Sequence, residues 1–184
     1  MLLMVKKPNS KKKLSRYWSV AGYAILPGLV TAVVVMLLYW LLYVINSNFL
    51  YSETSSVLLF ASFGSSAFLM FMAPYSKTAR PSKFVKSYLL ATAMGSVGYA
   101  FIGAVSIFLV TGIMMFLLSV LLFITRSEHP PAIGIMLAFV FYRVDVYGIL
   151  VVVSGVAFLL AIRMLLSKYL YRADFMLDRM ADIL

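Results

Sequence analysis

Long stretches without a charged side chain alternate with short charged segments along this chain. The charge-free stretches cover residues 17–52, 54–76, 87–125, 130–142 and 146–162. An α-helix needs roughly 20 apolar residues to cross about 30 Å of hydrocarbon. The pattern therefore predicts an all-α fold, a polytopic integral membrane helical bundle with about six membrane segments.

The third charge-free stretch is too long for one crossing. Residues 87–125 would form a helix of roughly 58 Å at about 1.5 Å per residue, nearly twice the hydrocarbon thickness. We expect this stretch to fold back once, with the turn near Gly103. The first four crossings are then expected over residues 20–45, 55–73, 86–102 and 105–125.

Two of the membrane segments are expected to be short or broken. Gly64 and its serine neighbours fall in the middle of segment 55–73, and this composition predicts a locally broken helix. Segment 130–142 is too short for an ordinary crossing and begins with Pro130 and Pro131, which suit only the first turn of a helix. The sequence leaves open whether this segment crosses thinly or re-enters.

The last crossing is expected over residues 146–167, with the Arg163 side chain reaching the lipid headgroups. With this crossing, the six segments form two triplets, and each triplet has a short or interrupted helix in its middle. This order predicts a 3+3 inverted repeat whose halves have opposite orientations. In transporters, paired short or broken helices indicate the substrate site.

The composition excludes an ordinary soluble enzyme. Hydrophobic residues make up 64% of the chain and charged residues 12%, whereas soluble domains carry about 25% charged residues. The chain has no Cys and one His, which excludes disulfides, thiolate metal sites and His-rich metal centres. We expect neither a metal nor another cofactor.

The net charge of +10 lies in two segments. Residues 1–19 and 74–87 hold the excess of Lys and Arg, and such an excess marks the cytoplasmic side of a membrane. Two crossings separate these segments, so both fall on the same side. We therefore expect a basic cytoplasmic tail over 1–19, a transmembrane domain over 20–167 and an amphipathic helix over 168–184.

The proline pair provides one candidate anion site. A helix N-terminus carries unpaired N–H groups and a partial positive charge of roughly half an electron, which suits a small anion. His129 adds a hydrogen-bond donor or a titratable proton beside Pro130 and Pro131, and Gly134 lies in the same first turn. The alternative is that the prolines only start a helix.

A second group of candidate residues surrounds Gly64. Ser62, Ser65 and Ser66 supply hydroxyl groups at membrane depth, where irregular backbone survives only if it lines a cavity or is buried in protein. Together with the Pro131 region, this segment would bind one anion between the two halves. The alternative is a packing face made of small residues.

Four motifs between residues 61 and 132 carry a resemblance to a known family. They are Ala61-Ser62-Phe63-Gly64-Ser65-Ser66-Ala67-Phe68, Ala73-Pro74, Ala79-Arg80-Pro81 and Glu128-His129-Pro130-Pro131-Ala132. In order and spacing they resemble the HPP family of integral membrane proteins, named after the His-Pro-Pro triplet, over residues 20–165. Where that family tends to have Gly-Gly-His or Gly-Gly-Tyr, this chain has Lys86-Ser87-Tyr88.

The resemblance implies a compact helical membrane domain, and it favours one substrate. Members in cyanobacteria and chloroplasts are associated with nitrite transport. We expect the chain to lie in the inner membrane of a prokaryotic cell, with its N-terminus cytoplasmic.

The leading function is therefore transport of a small inorganic monovalent anion, with nitrite favoured. Substrate binding is expected from Ser62, Gly64, Ser65, Ser66, His129, Pro130, Pro131 and Gly134, with Arg80 and Lys83 on the anion's approach. The alternative is a membrane scaffold, or a lipid- or partner-binding protein, without transport activity. The expected partners are the anion, membrane lipids and further copies of the chain in a homo-oligomer, and no nucleic acid.

An intramembrane enzyme is a third class. Glu128, His129 and Asp145 could act as acid and base, but catalysis needs a further oriented group and a substrate pocket. We expect no enzymatic activity. The sequence has no nucleotide-binding motif for ATP-driven transport, and it leaves open both a channel and a proton-coupled carrier served by His129.

Overall fold

The computed structural model describes the backbone of residues 10–49, 53–74, 76–142, 144 and 146–181, and side chains within 25–44, 58–74, 76–142, 144 and 147–167. Six α-helices follow one another in this part of the chain, with a 3₁₀ turn at Lys77–Ala79 between the second and the third. They are α1 (Ser10–Phe49), α2 (Glu53–Met72), α3 (Pro81–Ala100), α4 (Ile107–Ile124), α5 (Pro131–Tyr142) and α6 (Val146–Ala181).

Three of the helices contain segments that are long and apolar enough to span a membrane. These segments are Ile25–Val44, Ile107–Ile124 and Tyr147–Ser167. The remaining helices are shorter or less apolar and pack between them. The predicted all-α, polytopic membrane bundle with six segments is therefore confirmed.

The predicted break in the second segment is wrong, because α2 continues through Gly64. The hydroxyl group of Ser62 donates to the Leu58 carbonyl at 2.8 Å, and that of Ser65 donates to the Ala61 carbonyl at 2.5 Å. Such bonds to the preceding turn satisfy small polar side chains inside a helix. The serines therefore need no irregular backbone.

The turn predicted near Gly103 is confirmed. Gly103 adopts a positive φ of 100°, and Ile102 and Val105 form an isolated bridge on either side of it. Only glycine adopts such a backbone conformation without strain. The turn reverses the chain between α3 and α4, as the length of residues 87–125 requires.

The end of α4 is closed by a Schellman motif. The Ser127 N–H donates to the Leu122 carbonyl at 2.9 Å and the Arg126 N–H to the Phe123 carbonyl at 3.1 Å. Arg126 takes the left-handed position, with φ of 51°, where glycine is usual. This cap fixes the direction in which the chain leaves α4 towards His129.

The connection between α2 and α3 meets the connection between α4 and α5. Lys83 contacts Glu128, and His129 contacts the Thr78 carbonyl. Arg163 of α6 also reaches this region, through the Ala79 carbonyl. We call this end of the bundle, formed by residues 74, 76–86 and 125–130, the basic end.

The position of Arg163 decides how α5 runs. Arg163 lies about 25 Å along α6 from Val146, at about 1.5 Å per residue, so α6 starts at the opposite end and approaches the basic end. The short α5 must therefore lead from the basic end to the opposite end. Within the bundle, α5 covers about 18 Å of this distance, a direction that agrees with a thin crossing.

The contacts between helices agree with the predicted inverted repeat. The helix pairs with the more extensive contacts are α1 with α2 and α6, α2 with α5 and α6, α3 with α4, α5 and α6, and α4 with α5. Exchanging α1 with α4, α2 with α5 and α3 with α6 turns this set of pairs into itself. We therefore treat α1–α3 as the first half and α4–α6 as the second half.

Close packing holds α3 against α5 in the centre of the bundle. A Cβ atom at Gly95 would lie 2.8 Å from Phe139 Cβ, and one at Gly98 would lie 2.8 Å from Val140 Cγ2. Small residues at this spacing allow membrane helices to approach closely. Half of the residues of α5 are buried.

The predicted terminal regions fall partly outside the described residues. The basic tail over 1–19 overlaps α1, which begins at Ser10, and residues 1–9 lie outside the described part. The C-terminal helix predicted over 168–184 is the continuation of α6 as far as Ala181. Its predicted amphipathic face lies outside the described side chains.

Candidate functional site

A buried polar cluster joins α2, α3 and the residue that precedes Pro130. The Ser66 hydroxyl oxygen lies 2.8 Å from Tyr88 Oη and 2.8 Å from His129 Nε2. The Tyr88 hydroxyl group also donates to the Ser62 carbonyl at 2.9 Å. Ser66, Tyr88 and His129 are at most 1% exposed, so the cluster is sealed from solvent in this structure.

Aromatic rings surround the His129 imidazole. The Phe84 ring meets it edge-on with the ring centroids 5.4 Å apart, and the Tyr88 ring lies 5.9 Å away. Phe63 packs on the other side of Tyr88, at 5.2 Å. These rings lower the local polarity and fix the directions of the Tyr88 and His129 side chains.

The other imidazole nitrogen of His129 binds the loop between α2 and α3. Nδ1 lies 2.8 Å from the Thr78 carbonyl oxygen, and a carbonyl oxygen only accepts hydrogen bonds. Nδ1 therefore carries the hydrogen, and Nε2 of a neutral ring faces Ser66 as an acceptor. Burial lowers the pKa of His129 below its usual value, while the bond to Thr78 opposes this effect.

Arg163 is a second buried polar residue at the basic end. Its guanidinium donates to the Ala79 carbonyl at 2.5 Å and to the Pro74 carbonyl at 3.1 Å, and the residue is 6% exposed. The expectation that Arg163 reaches the headgroups is therefore wrong. The carbonyl groups of the loop after α2 take the place of lipid phosphates.

Lys83 and Glu128 form an ion pair at the rim of the cluster. Lys83 Nζ lies 2.5 Å from Glu128 Oε2, and the two side chains are 18% and 46% exposed. The hydrogen bond from Lys83 lowers the pKa of Glu128. The pair links the first half to the second, immediately beside His129.

Comparison with known proteins gives one match. Residues 15–174 match the family described as HPP, transmembrane region. The chain belongs to this family. No curated protein and no solved structure gave a significant match. The resemblance noted in the sequence is thereby confirmed, and the HPP region includes α2 to α5 and most of α1 and α6.

The HPP fold brings some of the predicted site residues together. Ser66 and His129 are in contact, and Ser62 lies one turn away, where its carbonyl accepts from Tyr88. Gly134 packs against the Ser62 side chain, so it serves the contact between α2 and α5. Lys83 is close to the cluster through its ion pair with Glu128.

Other predicted site residues contribute no hydrogen bond to the side chains of the cluster. Gly64 has no atom within 4 Å of the position of a Cβ, and Ser65, Arg80 and Pro130 are exposed, while Pro131 is half-buried as the first residue of α5.

The free backbone N–H groups expected near Gly64 and Pro131 are also absent from this region. Gly64 lies inside a continuous helix and so provides no helix N-terminus. At the start of α5, the Ala132 N–H donates to the His129 carbonyl at 3.0 Å and the Ile133 N–H to the Pro130 carbonyl at 3.1 Å. The donors in the described polar cluster are therefore side chains rather than backbone amides of Gly64 or of the first turn of α5.

Sequence reasoning missed Tyr88 and Thr78 as members of the cluster. Tyr88 entered the sequence analysis only as part of the Lys86-Ser87-Tyr88 departure from the HPP pattern. Tyr88 lies where the family tends to have His or Tyr, and this position could have indicated that Tyr88 belongs to the site. Thr78 takes part through its backbone carbonyl, which no side-chain pattern reveals.

Proposed function

We propose that this HPP domain transports a small inorganic monovalent anion across the membrane, with nitrite as the favoured substrate. The observation that supports the proposal is the buried cluster of Ser66, Tyr88 and His129 between the two halves of a membrane bundle. The preference for nitrite rests on the family resemblance.

Polar groups inside a membrane bundle are costly and usually functional. Burying a hydroxyl group without a partner costs several kcal/mol in an apolar environment, and ionisable residues within membrane domains mark substrate and ion pathways. The Ser66 and Tyr88 hydroxyl groups can donate hydrogen bonds, and His129 Nε2 can donate one when the ring is protonated. They can therefore replace part of the hydration shell of a small anion.

The basic end provides the approach to this cluster. Lys77, Arg80 and Lys86 are exposed there, and clustered positive charge raises the local concentration of anions. By the excess of Lys and Arg, we place this end on the cytoplasmic side, with the N-terminus cytoplasmic and the chain in a prokaryotic inner membrane.

The test is anion flux into liposomes that contain the purified protein. We expect nitrite uptake above that of empty vesicles, and a fall of tenfold or more for Ser66→Ala and for Tyr88→Phe, because each removes a donor from the cluster. Ser119→Ala and Tyr99→Phe are matched controls, since both residues are exposed. We expect these two variants to transport at the rate of the unaltered protein.

Two results would contradict the proposal. If nitrite, nitrate and formate all cross no faster than in empty vesicles, the protein does not transport small anions. A scaffold or lipid-binding role then becomes the better account, and loss of function on truncation of residues 168–184 would support it. Equal flux in the Ser66→Ala variant and its control would instead place transport elsewhere in the bundle.

A further inference from the structure

The polar cluster is one hydrogen atom short when His129 is neutral. Four contacts run in series from the Thr78 carbonyl through His129, Ser66 and Tyr88 to the Ser62 carbonyl. Both ends are acceptors only. A neutral imidazole and two hydroxyl groups supply three hydrogens for these four contacts. A protonated imidazole supplies the fourth, and every contact is then a hydrogen bond.

The charges around His129 do not already balance an added proton. From α2 and α3 it meets Ser66, Phe84 and Tyr88, which are neutral groups. From its own loop, the neighbouring Glu128 carboxylate is paired with Lys83.

The loop before α3 and α6 contribute positive charge near this site. Lys77 and Arg80 of the loop are exposed to solvent. Arg163 of α6 is bound to the carbonyls of Ala79 and Pro74, close to the Thr78 carbonyl. The described residues of α5 contain no Asp, Glu, Lys or Arg. Within the described part of the chain, no unpaired carboxylate contacts His129, so a proton on the ring needs a negative partner that these residues do not supply.

The converse holds for an anion that enters the same cluster. The groups that face one another there are two hydroxyl groups and the Nε2 acceptor of a neutral ring, and none carries a positive charge. A lone charge in a low-dielectric site costs several kcal/mol. An anion alone and a proton alone are thus both unfavourable, whereas an anion together with an imidazolium forms a neutral pair.

Resting on the proposed transport function, we propose that anion and proton bind together, with one proton on His129 Nε2 for each anion, so that this domain is an electroneutral proton–anion cotransporter. The proton comes from water on the entry side and binds the Nε2 lone pair. The anion then accepts hydrogen bonds from Nε2–H and from the hydroxyl groups of Ser66 and Tyr88. On the exit side both leave, and His129 returns to the neutral ring.

Burial of His129 agrees with this cycle. Burial lowers the pKa of the ring below its usual value, so the empty site stays uncharged at neutral pH. The proton binds only when the anion compensates its charge. This property prevents either ion from crossing alone.

The first experiment uses the unaltered protein in liposomes that contain a pH-sensitive dye, with the membrane potential clamped by potassium and valinomycin. Nitrate is the probe, because its conjugate acid is strong and so carries no proton through the lipid itself. We expect an inward nitrate gradient to acidify the interior by one proton per nitrate, at a rate that does not change with the clamped potential. When nitrate is limiting, lowering the pH from 8 to 7 should raise the rate roughly tenfold. The reason is that the protonated fraction of a group whose pKa lies below this pH range rises about tenfold for each unit by which the pH falls.

A variant tests the role of His129 itself. His129→Gln keeps polar atoms at this position but does not titrate, and we expect it to lose proton movement coupled to nitrate. Tyr88→Phe keeps the titrating ring, so it should transport more slowly but still move one proton per nitrate. Circular dichroism and size-exclusion elution establish that both variants are folded.

The outcomes separate this inference from the proposed function. If neither nitrate nor nitrite crosses above empty vesicles, the transport function itself fails. If nitrate crosses as a current without internal acidification, transport stands and the cotransport inference is overturned. Coupling of one proton per nitrate in His129→Gln would overturn the assignment to His129.

Discussion

At the scale of single residues, the contact between α2 and α5 depends on Gly134, which has no side chain. Ser62 cannot turn away from α5 without losing its bond to the Leu58 carbonyl. A Cβ atom at Gly134 would overlap the Ser62 hydroxyl oxygen, whereas one at Gly64 would meet nothing within 4 Å. Two glycines that look equivalent in the sequence therefore have different roles.

We expect Gly134→Ala to lower the free energy of unfolding by about 1–3 kcal/mol, the usual cost of overpacking a close contact. Gly64→Ala is the matched control. It should leave stability unchanged or raise it by about 0.5–1 kcal/mol, because alanine is the better helix former. Denaturant unfolding in detergent, followed by circular dichroism, measures both changes. Equal losses in the two variants would show that Gly134 is not a packing contact.

At the scale of elements, the two sharp connections between helices are made in different ways. The turn between α3 and α4 uses Gly103 at positive φ, and the cap of α4 places the non-glycine residue Arg126 in the left-handed region. The first connection only reverses the chain. The second also sets the position of His129, three residues beyond Arg126.

Gly103→Ala is expected to destabilise the protein by about 1–2 kcal/mol, because a side chain in this backbone conformation is strained. The site has open space around it, so the cost comes from the backbone alone. Gly112→Ala, in the regular helix α4 and also in open space, should be neutral or slightly stabilising. Thermal unfolding of the purified protein distinguishes the two. A turn that tolerates Gly103→Ala without loss would contradict the assigned conformation.

At the scale of the whole molecule, polar contacts between the two halves gather at the basic end. In the described part of the chain, His129 binds Ser66 and Thr78, Glu128 binds Lys83, and Arg163 binds the loop after α2. Each of these contacts joins the first half to the second. Transporters with inverted repeats work by movement of one half against the other around a fixed site. Under the proposed function, we expect these contacts to break when the basic end opens.

Joining the halves covalently at this end should therefore stop transport. The chain has no Cys, so the pair Lys83→Cys and Glu128→Cys provides two unique thiols. We expect a short bifunctional thiol reagent to reduce anion flux of the double variant by tenfold or more. Each single variant treated with the same reagent should keep its own untreated rate. Full flux in the cross-linked protein would show that the basic end does not need to open.

The sequence by itself determined the membrane fold, the number of helices and the turn at Gly103. Those features follow from the length of the apolar stretches, because hydrocarbon thickness and helix rise fix how much chain one crossing needs. The inverted repeat of the two triplets stays a prediction, with which the contacts between helices agree. The break at Gly64 was predicted wrongly, because serine hydroxyl groups bond to their own helix as readily as they disrupt it.

Only the tertiary structure decided which polar groups meet. Ser66, Tyr88 and His129 lie far apart in the sequence, and their contact depends on how α2, α3 and the start of α5 pack. The Thr78 and Ser62 carbonyls join them through backbone atoms, which carry no sequence signature. Local patterns record how each segment satisfies its own surroundings, whereas a shared hydrogen-bond network depends on distances between segments, and only the folded chain sets those.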